Sequence, residues 1–314
     1  MNPIETTETI KSDYLAYLQS ILKVKDDTLT KQAYLALKEN EFVKGPFLEA
    51  TPPFVPGTTL AKLINEGVAS KGFHAIAAAV EINRPLYVHQ EAAFHKLTTG
   101  RKNVIVATGT GSGKTECFMY PIFNELMLQN EVNDLTPGIR ALLLYPMNAL
   151  ANDQMKRLRG LLSNYPSITF GRYTGETLEK EEKAIEAYRE KKEQEFKAKN
   201  KRKGVDYTDF DLSPLPNEVI SRQKMRETPP HILLTNYAML EYLLIRPEDT
   251  SFFDGDQARA WHFLVLDEAH TYNLNSRVFI PMKVRSRQGQ YTVVFASLSF
   301  RPFDVFSQVA HNVL

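Results

Sequence analysis

Thr108-Gly109-Thr110-Gly111-Ser112-Gly113-Lys114-Thr115 is the stretch that decides the fold. It follows the apolar run 104–107 and precedes a helix-like segment, residues 115–128. A strand, a glycine-rich turn and a helix in this order make a phosphate cradle, because backbone N–H groups turn inward and the helix N-terminus favours anions. Lys114 can then reach the β- and γ-phosphates, and the Thr115 hydroxyl can bind Mg²⁺. Thr108 stands where the simple pattern has its first glycine. A chance glycine-rich loop is the alternative, and it leaves the flanking strand and helix unexplained.

The composition is that of a globular protein and leaves the partner open. A chain of 314 residues suffices for one large or two ordinary domains, and 43% hydrophobic with 24% charged residues is ordinary for such a protein. The net charge of +1 neither requires nor excludes a nucleic-acid partner, so that question depends on local features. The single cysteine, Cys117, excludes an intramolecular disulfide and a multi-cysteine zinc site, and we expect it to pack in the core.

The N-terminal region is predicted to be a helical extension. Residues 1–13 are polar and acidic, unlike a signal peptide, and no apolar run approaches the ~20 residues of a membrane helix. We therefore expect a cytoplasmic protein without a membrane partner. Residues 1–80 show apolar stripes at helical spacing, interrupted by prolines between 46 and 56. We interpret them as an accessory layer; an extension that binds a partner or nucleic acid is the alternative.

A glutamine upstream of the glycine-rich loop is a candidate for base recognition. Gln90 opens a predicted helix 24 residues before Lys114. Its amide has a donor and an acceptor, which can pair with the N6 and N7 edge of adenine. Arg84 or Tyr87 can add stacking on the base, and His89 is interpreted as a helix-start residue.

Alternating strands and helices predict an α/β domain with a mostly parallel sheet. The continuous apolar run at 141–145 is typical of a strand buried on both faces. Residues 231–235, 263–266 and the short segment 168–170 are predicted to be further strands. Ligands gather at the carboxyl ends of such strands. The run 263–266 leads into Asp267-Glu268-Ala269-His270, where Asp267 would hold Mg²⁺ through water and Glu268 would polarise the attacking water.

A charged segment interrupts this pattern. Glu and Lys fall three or four apart across residues 177–203, which favours an exposed helix with a basic C-terminal end. We assign residues 177–228 to a charged helical insertion and expect 204–226 to be irregular. The insertion is either a solvated arm or a surface whose Lys197–Lys203 cluster contacts phosphates.

The sequence resembles the superfamily-2 DEAD/DEAH-box helicases over about residues 85–272. The resemblance rests on motifs in the family's order: Gln90, Ala107–Glu116, Tyr145–Gln154, Thr174–Thr177, Leu234–Tyr237 and Asp267–His270. The amino-acid sequences of residues 145–150 and 267–272 are similar to those of bacterial helicases with a C-terminal zinc-binding module. These include MrfA-like DNA-repair helicases and helicases of anti-phage defence systems.

The resemblance implies a RecA-like P-loop domain, an ATP-binding motor domain, at residues 81–272. It implies that Gln90 contacts adenine, that residues 108–115 hold ATP phosphates, and that Thr115 and Asp267 hold Mg²⁺. Glu268 and Lys114 would be catalytic, and His270 would couple hydrolysis to nucleic-acid contact. The family's contacts with the backbone of one DNA or RNA strand, for which we expect DNA, would fall on Pro146, Asn148, Thr174, Gly175 and Thr235. Such contacts do not need a high net charge.

The last 42 residues depart from the family pattern. Residues 291–296 are a candidate strand. Ser297-Leu298-Ser299 only loosely resembles the family's Ser-Ala-Thr motif, which links hydrolysis to unwinding. We interpret 273–314 as a divergent or truncated tail. The second motor domain and its arginines are missing from this sequence, and an arginine finger contributes about 10³–10⁵ in rate. We therefore expect the chain alone to bind ATP–Mg²⁺ weakly, to turn over slowly and not to unwind duplexes without a second motor domain or partner protein.

Three functions could use these nucleotide-binding motifs. The first is an ATP-dependent helicase or translocase, present as its first motor domain; intact Lys114, Asp267 and Glu268 favour it. The second is a non-catalytic nucleotide- and nucleic-acid-binding remnant or regulatory module. The third, a small-molecule kinase, does not need the spaced backbone-contact segments.

Overall fold

The computed structural model describes residues 2–21, 25–39, 53–109, 111–200, 212–253, 260–269 and 292–297. The chain divides into two compact units, Met1–Pro53 and Phe54–Leu314. The first unit contains helices α1 (Pro3–Ile21) and α2 (Asp27–Glu39), and neither helix has a buried residue. Within the described ranges, no helix has both the length and the apolar character needed to cross a membrane.

The second unit is built on a parallel sheet. Its described strands are β3 (Val104–Ala107), β4 (Ala141–Tyr145), β5 (Phe170–Tyr173), β6 (Glu218–Val219), β7 (Ile232–Asn236), β8 (Phe263–Asp267) and β9 (Thr292–Ser297). They lie in the order β3-β9-β8-β4-β7-β5-β6, and every neighbouring pair is parallel. A separate two-stranded antiparallel ribbon joins β1 (Pro56–Thr59) to β2 (Pro85–Tyr87). The prediction of an α/β domain with a mostly parallel sheet is confirmed.

Helices cover both faces of this sheet, as a parallel sheet requires. One core contains the alternate β4 residues Leu143 and Tyr145 and packs under α5 (Val88–Thr98), α6 (Lys114–Glu131) and α7 (Asn148–Leu162). The other core contains Leu142 and Leu144 and packs under α10 (Tyr237–Ile245) and a 3₁₀ helix, Pro247–Phe252. Cys117 lies in the first core, where burial raises the pKa of its thiol to about 12, in accord with a packing role.

Residues 54–80 pack into the second unit. They form β1, α3 (Leu60–Asn65), a 3₁₀ helix (Lys71–Ile76) and α4 (Ala77–Val80). Leu60, Phe73 and Val80 belong to the same core as α6. The division of the chain therefore falls at Pro53, whereas the sequence places all of residues 1–80 in the extension.

The charged insertion is partly integrated into the sheet. Helix α8 spans Glu181–Asn200, as expected, but β6 and most of α9 (Arg222–Glu227) lie where the sequence predicts irregular structure, so that prediction is wrong for residues 218–219 and 222–226. Glu218 is buried and pairs with both Nε and Nη2 of Arg159, and the Arg159 guanidinium stacks on Tyr188 of α8. Residues 201–211, including Lys201–Lys203 of the basic cluster, lie outside the described residues.

Strand β9 places the C-terminal region inside the sheet. The candidate strand at residues 291–296 is observed as Thr292–Ser297, between β3 and β8. Ala107 aligns with Ser297, and Asp267 aligns with Ala296. Because neighbouring strands lie about 4.8 Å apart, the ends of β3 and β8 are separated by about 10 Å. Apart from β9, residues 273–314 of the predicted tail are not described.

Candidate functional site

The glycine-rich loop joins the end of β3 to the start of α6. Gly111 and Gly113 have φ angles of 75° and 71°, in the left-handed region that favours glycine. The hydroxyls of Thr108 and Ser112 lie 2.5 Å apart and tie the two ends of the loop together. This contact gives Thr108 a role at the position where the simple pattern has a glycine. Thr110 lies outside the described residues.

The ammonium of Lys114 is held inside the loop. Its Nζ donates to the backbone carbonyls of Thr108 and Gly109, both at 3.1 Å. Lys114 also lies near enough to Asp267 to oppose the rise in the pKa of that carboxyl. Lys114 is the first residue of α6, so its positive charge lies at a helix N-terminus, which favours anions.

Two side chains from the start of α5 contact the carbonyls of this loop. Nε2 of Gln90 donates to the Gly113 carbonyl at 3.0 Å, and Nε2 of His89 lies 2.8 Å from the Ser112 carbonyl. Gln90 also accepts from the backbone N–H of Tyr87 at 2.8 Å and is only 7% exposed, so its amide orientation is fixed. His89, interpreted as a helix-start residue, is therefore part of the loop's support. No local pattern indicates this contact, because it joins residues 23 positions apart in the chain.

A cleft lies beside the loop and the Gln90 amide. It has a volume of about 170 Å³, and its lining includes Arg84, Tyr87, Gln90, Gly111 and Gly113. Gln90 keeps one amide hydrogen and one oxygen lone pair beyond its two protein contacts. The three residues that the sequence associates with a base thus line one cleft, directly beside the phosphate cradle.

The two acidic residues lie at the end of β8, on the far side of β9 from the loop: Asp267 is the last residue of the strand and Glu268 follows it. The pKa of Asp267 is raised to about 6, chiefly by burial; the neighbouring Glu268 carboxylate adds to the rise, while a hydrogen bond from the Glu268 N–H and the charge of Lys114 oppose it. That N–H donates to Asp267 Oδ1 at 3.0 Å. Glu268 has a φ of 49°, a left-handed conformation that is uncommon for a glutamate and that clusters at functional sites. His270 lies outside the described residues.

The donor set fits a magnesium ion that is shared with a phosphate ligand. No group of three or more metal-ligating His, Cys, Asp or Glu side chains occurs among the residues that the structure describes. Mg²⁺ at nucleotide sites usually takes one or two carboxylates, phosphate oxygens and water, and it does not need such a protein cage. The Thr115 hydroxyl and the Asp267 carboxylate are suitable oxygen donors, and a cation would offset the cost of burying the Asp267 charge.

The other candidate segments follow β4, β5 and β7, which are neighbours in the sheet. Asn148, the first residue of α7, accepts from Asn236 Nδ2 at 2.8 Å and donates from its own Nδ2 to Glu176 Oε1 at 3.1 Å. Pro146 is half-buried and Gly175 is exposed. These three strand ends therefore form one polar surface, on the same edge of the sheet as the glycine-rich loop.

The hydroxyls of Thr174 and Thr235 do not face this surface. Both residues are fully buried, and Thr235 Oγ1 donates to the Tyr173 carbonyl at 2.6 Å. Thr174 Oγ1 is buried without a hydrogen-bond partner, while the Thr174 N–H bonds to Thr177 Oγ1 at 2.9 Å. In this conformation these two threonines shape the turn at 174–177 and offer no hydroxyl to a ligand.

Sequence reasoning missed the arginines around this turn. Arg172 Nη1 donates to Glu176 Oε2 at 3.0 Å, and Arg222 Nη2 donates to the Thr174 carbonyl at 3.1 Å. Arg226 of α9 pairs with Glu179 and with the buried Asp249, whose Oδ1 also accepts from the Tyr173 hydroxyl at 2.7 Å. The insertion therefore braces the turn through α9, a role that local charge spacing does not reveal.

A substitution at Gly113 can test how closely the loop is packed against its neighbours. A Cβ at this position would lie 2.3 Å from Gln90 Nε2 and 2.9 Å from Glu116 Oε2, at a φ that strains any L residue. We expect Gly113→Ala to lower the free energy of unfolding by about 1–3 kcal/mol, measured by denaturant titration. Gly109→Ala is the matched control, because a Cβ there meets open space. Equal stability of the two variants would contradict this packing.

The chain was compared with known proteins. Residues 87–194 match the model of the DEAD/DEAH box helicase family. The Druantia protein DruE of Escherichia coli (strain UMEA 4076-1) is 28% identical, over 85% of this chain and 18% of DruE. The uncharacterized ATP-dependent helicase YprA of Bacillus subtilis (strain 168) is 30% identical, over 60% of this chain and 18% of YprA. The chain thus spans about a fifth of the length of these relatives.

A solved structure shows the same fold. The DUF1998 helicase MrfA, in a crystal structure bound to DNA and AMPPNP, superposes with a TM-score of 0.54 and 22% identity, over 90% of this chain and 32% of MrfA. The family match covers the loop, α6, β4 and α7, and the fold match covers the sheet that carries them. Residues 87–194 therefore resemble a DEAD/DEAH box helicase domain, and the chain has the RecA-like fold.

Proposed function

We propose that this chain is an ATP-dependent nucleic-acid motor domain that binds ATP–Mg²⁺ and the backbone of a single strand. One observation carries the proposal. The ends of β3, β9 and β8 bring together the glycine-rich loop and the two carboxylates, and the ends of β4, β7 and β5 bring together polar side chains on the same sheet edge. The chain spans about a fifth of the length of these relatives, and helicase activity is extended to this protein only as part of the proposal.

The nucleotide would lie along the loop with its base in the adjoining cleft. The Gln90 amide is fixed by Tyr87 and Gly113, and its remaining donor and acceptor match the N7 and N6 edge of adenine. Lys114 would exchange its two carbonyl partners for phosphate oxygens, which are better partners because they are anionic. The resting contacts of Lys114 keep its charge in the place where a phosphate would bind.

Hydrolysis would use the two carboxylates in different roles. Asp267 and the Thr115 hydroxyl would hold Mg²⁺, which supplies charge neutralisation at the phosphates. Glu268 would orient and polarise the water that attacks the γ-phosphate. The strained backbone at Glu268 is consistent with a side chain held in one direction for this purpose.

The polar surface would bind the sugar–phosphate backbone of one strand. Asn148 and the exposed turn at Gly175 offer contacts that do not depend on base identity. We favour DNA because the structurally similar MrfA was crystallised with DNA. His270 and the region after β8 are proposed to couple the two sites. ATP and nucleic acid meet in the cytoplasm, which is the location we propose.

The decisive experiment compares nucleotide and strand binding in the purified chain. We expect a fluorescent ATP analogue to bind only with Mg²⁺, and the affinity for a labelled single strand to rise when a non-hydrolysable ATP analogue is present. DNA and RNA strands of equal sequence distinguish the two substrates. Strand binding without any hydrolysis of ATP would favour the regulatory remnant, and absence of Mg²⁺-dependent nucleotide binding would contradict both functions.

A further inference from the structure

The carboxylate of Glu176 occupies two donors on the polar surface. Its Oε1 accepts from Asn148 Nδ2 at 3.1 Å, and its Oε2 accepts from Arg172 Nη1 at 3.0 Å. The side chain of Glu176 is 55% exposed, whereas that of Arg172 is 18% exposed. Arg172 also lowers the pKa of Glu176, so the carboxylate is ionised at neutral pH. An anionic group thus lies over donors that come from β5 and from the first turn of α7.

These donors are held in place by the rest of the protein. Asn236 Nδ2 donates to Asn148 Oδ1 at 2.8 Å, which directs the Asn148 Nδ2 group towards Glu176. Asn236 itself is fixed because its Oδ1 caps α10 through the Met239 N–H at 2.8 Å. Arg172 Nη1 also contacts Asn152 Oδ1 on α7. Both donors would therefore keep their directions if Glu176 moved away.

The same donors suit a phosphodiester. An arginine fork recognises two oxygens of a phosphate as it recognises two oxygens of a carboxylate, and Asn148 adds a neutral donor at the N-terminus of a helix. The Glu176 side chain can swing away while the braced turn stays in place, because more than half of it is exposed to solvent and the neighbouring Gly175 is also exposed. Exposed ion pairs such as Arg172–Glu176 are weak and are readily exchanged.

We propose that Arg172 and Asn148 form a subsite for one backbone phosphate of a single-stranded nucleic acid, and that Glu176 occupies this subsite until the phosphate displaces it. This inference rests on the proposed function, because it names the groups that take the strand. Glu176 then acts as a built-in competitor, which weakens strand binding. A pair that merely stabilised the turn would have the opposite consequence, since its loss would weaken binding.

The test measures the affinity of the full chain for a fluorescein-labelled oligothymidylate by anisotropy, with a non-hydrolysable ATP analogue present. We expect R172Q to weaken binding about tenfold, as for a lost charged hydrogen bond. The slope of log K against log salt should fall by about 0.7, the value for one phosphate contact of a single strand. E176Q should tighten binding about threefold, as for a weak exposed competitor.

A double-mutant cycle separates the subsite from a general change in charge. In the R172Q background the gain from E176Q should shrink, because the competitor then blocks only Asn148. E179Q is the matched control: it removes an equal charge close by, but Glu179 pairs with Arg226. We expect E179Q to change the affinity less than E176Q does. Affinity for the ATP analogue and the melting temperature should stay unchanged in E176Q, which excludes an effect through the nucleotide or through folding.

The outcomes distinguish this inference from the function on which it rests. If the unchanged protein binds the oligonucleotide and R172Q binds it equally well, the subsite is wrong while the proposed function stands. If E176Q weakens binding, the pair is structural and the competitor role is overturned. If the unchanged protein and all variants fail to bind any strand, the proposed nucleic-acid function fails and the subsite fails with it.

Discussion

Replacing Glu268 by Gln is expected to slow ATP hydrolysis by about 10²–10⁴-fold while leaving nucleotide affinity nearly unchanged. The amide keeps the size and hydrogen-bonding reach of the side chain but cannot accept a proton from the attacking water. Glu268 follows β8 directly and has a left-handed φ of 49°, so its direction is set by the backbone and should survive the substitution. Single-turnover hydrolysis of labelled ATP measures the step even where steady-state turnover is slow.

The matched control for this substitution is Glu227→Gln. Glu227 is exposed at the end of α9, where it accepts from Gln223 at 3.1 Å, so the same charge is lost away from the site. We expect its hydrolysis rate to equal that of the unchanged protein. Full activity in Glu268→Gln would show that hydrolysis in the preparation does not belong to this site. Loss of nucleotide binding in that variant would assign Glu268 a binding role instead.

Replacing Lys114 by Ala is expected to weaken ATP–Mg²⁺ binding by about 30- to 5,000-fold. The loop would keep its N–H groups but would lose the only lysine that it contains, and removing one member of a buried charge pair costs about 2–5 kcal/mol. The Thr108 and Gly109 carbonyls accept from Lys114 Nζ in this structure. Without that cation, these carbonyl oxygens would face the phosphates directly and repel them. Titration with a fluorescent ATP analogue measures the effect.

Lys102→Ala serves as the control for Lys114→Ala. Lys102 is exposed and lies just before β3, at the opposite end of that strand from the loop. The change in net charge is identical, so a general electrostatic effect would appear in both variants. We expect near-normal affinity for Lys102→Ala. Comparable losses in the two variants would contradict a specific phosphate contact by Lys114.

The elements flanking the glycine-rich loop were predictable because their signals are local. Apolar runs at 104–107, 141–145 and 263–266 correspond to β3, β4 and β8, and the helix that follows the loop begins at Lys114. Predicting these strands needed only apolar runs bounded by turn residues, and the loop needed only its glycines and lysine. The Gln90 prediction stays a prediction, supported by the position of Gln90 in the cleft beside the loop.

The polar surface was only partly predictable, because the burial of a side chain at a strand end depends on how neighbouring elements pack over it. Strand alternation does not separate residues two apart, because they share one face. Thr174 and Thr235 lie within the predicted motifs but are fully buried, whereas Arg172, two residues before Thr174, reaches Glu176. The brace from Arg222 and Arg226 depends on contacts across about 50 residues, including the charged insertion, and nothing in the local pattern indicates it.

The sequence by itself determined the α/β class, the glycine-rich loop with Lys114 and Thr115, and the acidic pair Asp267-Glu268, because each is encoded in a short contiguous pattern. The tertiary structure decided which of these segments meet. Strand order places β9 between the loop and the acidic pair, and it places β4, β7 and β5 side by side. Strand order and burial are set by packing between residues distant in sequence. For that reason only the folded chain shows His89 supporting the loop and Glu176 covering Arg172 and Asn148.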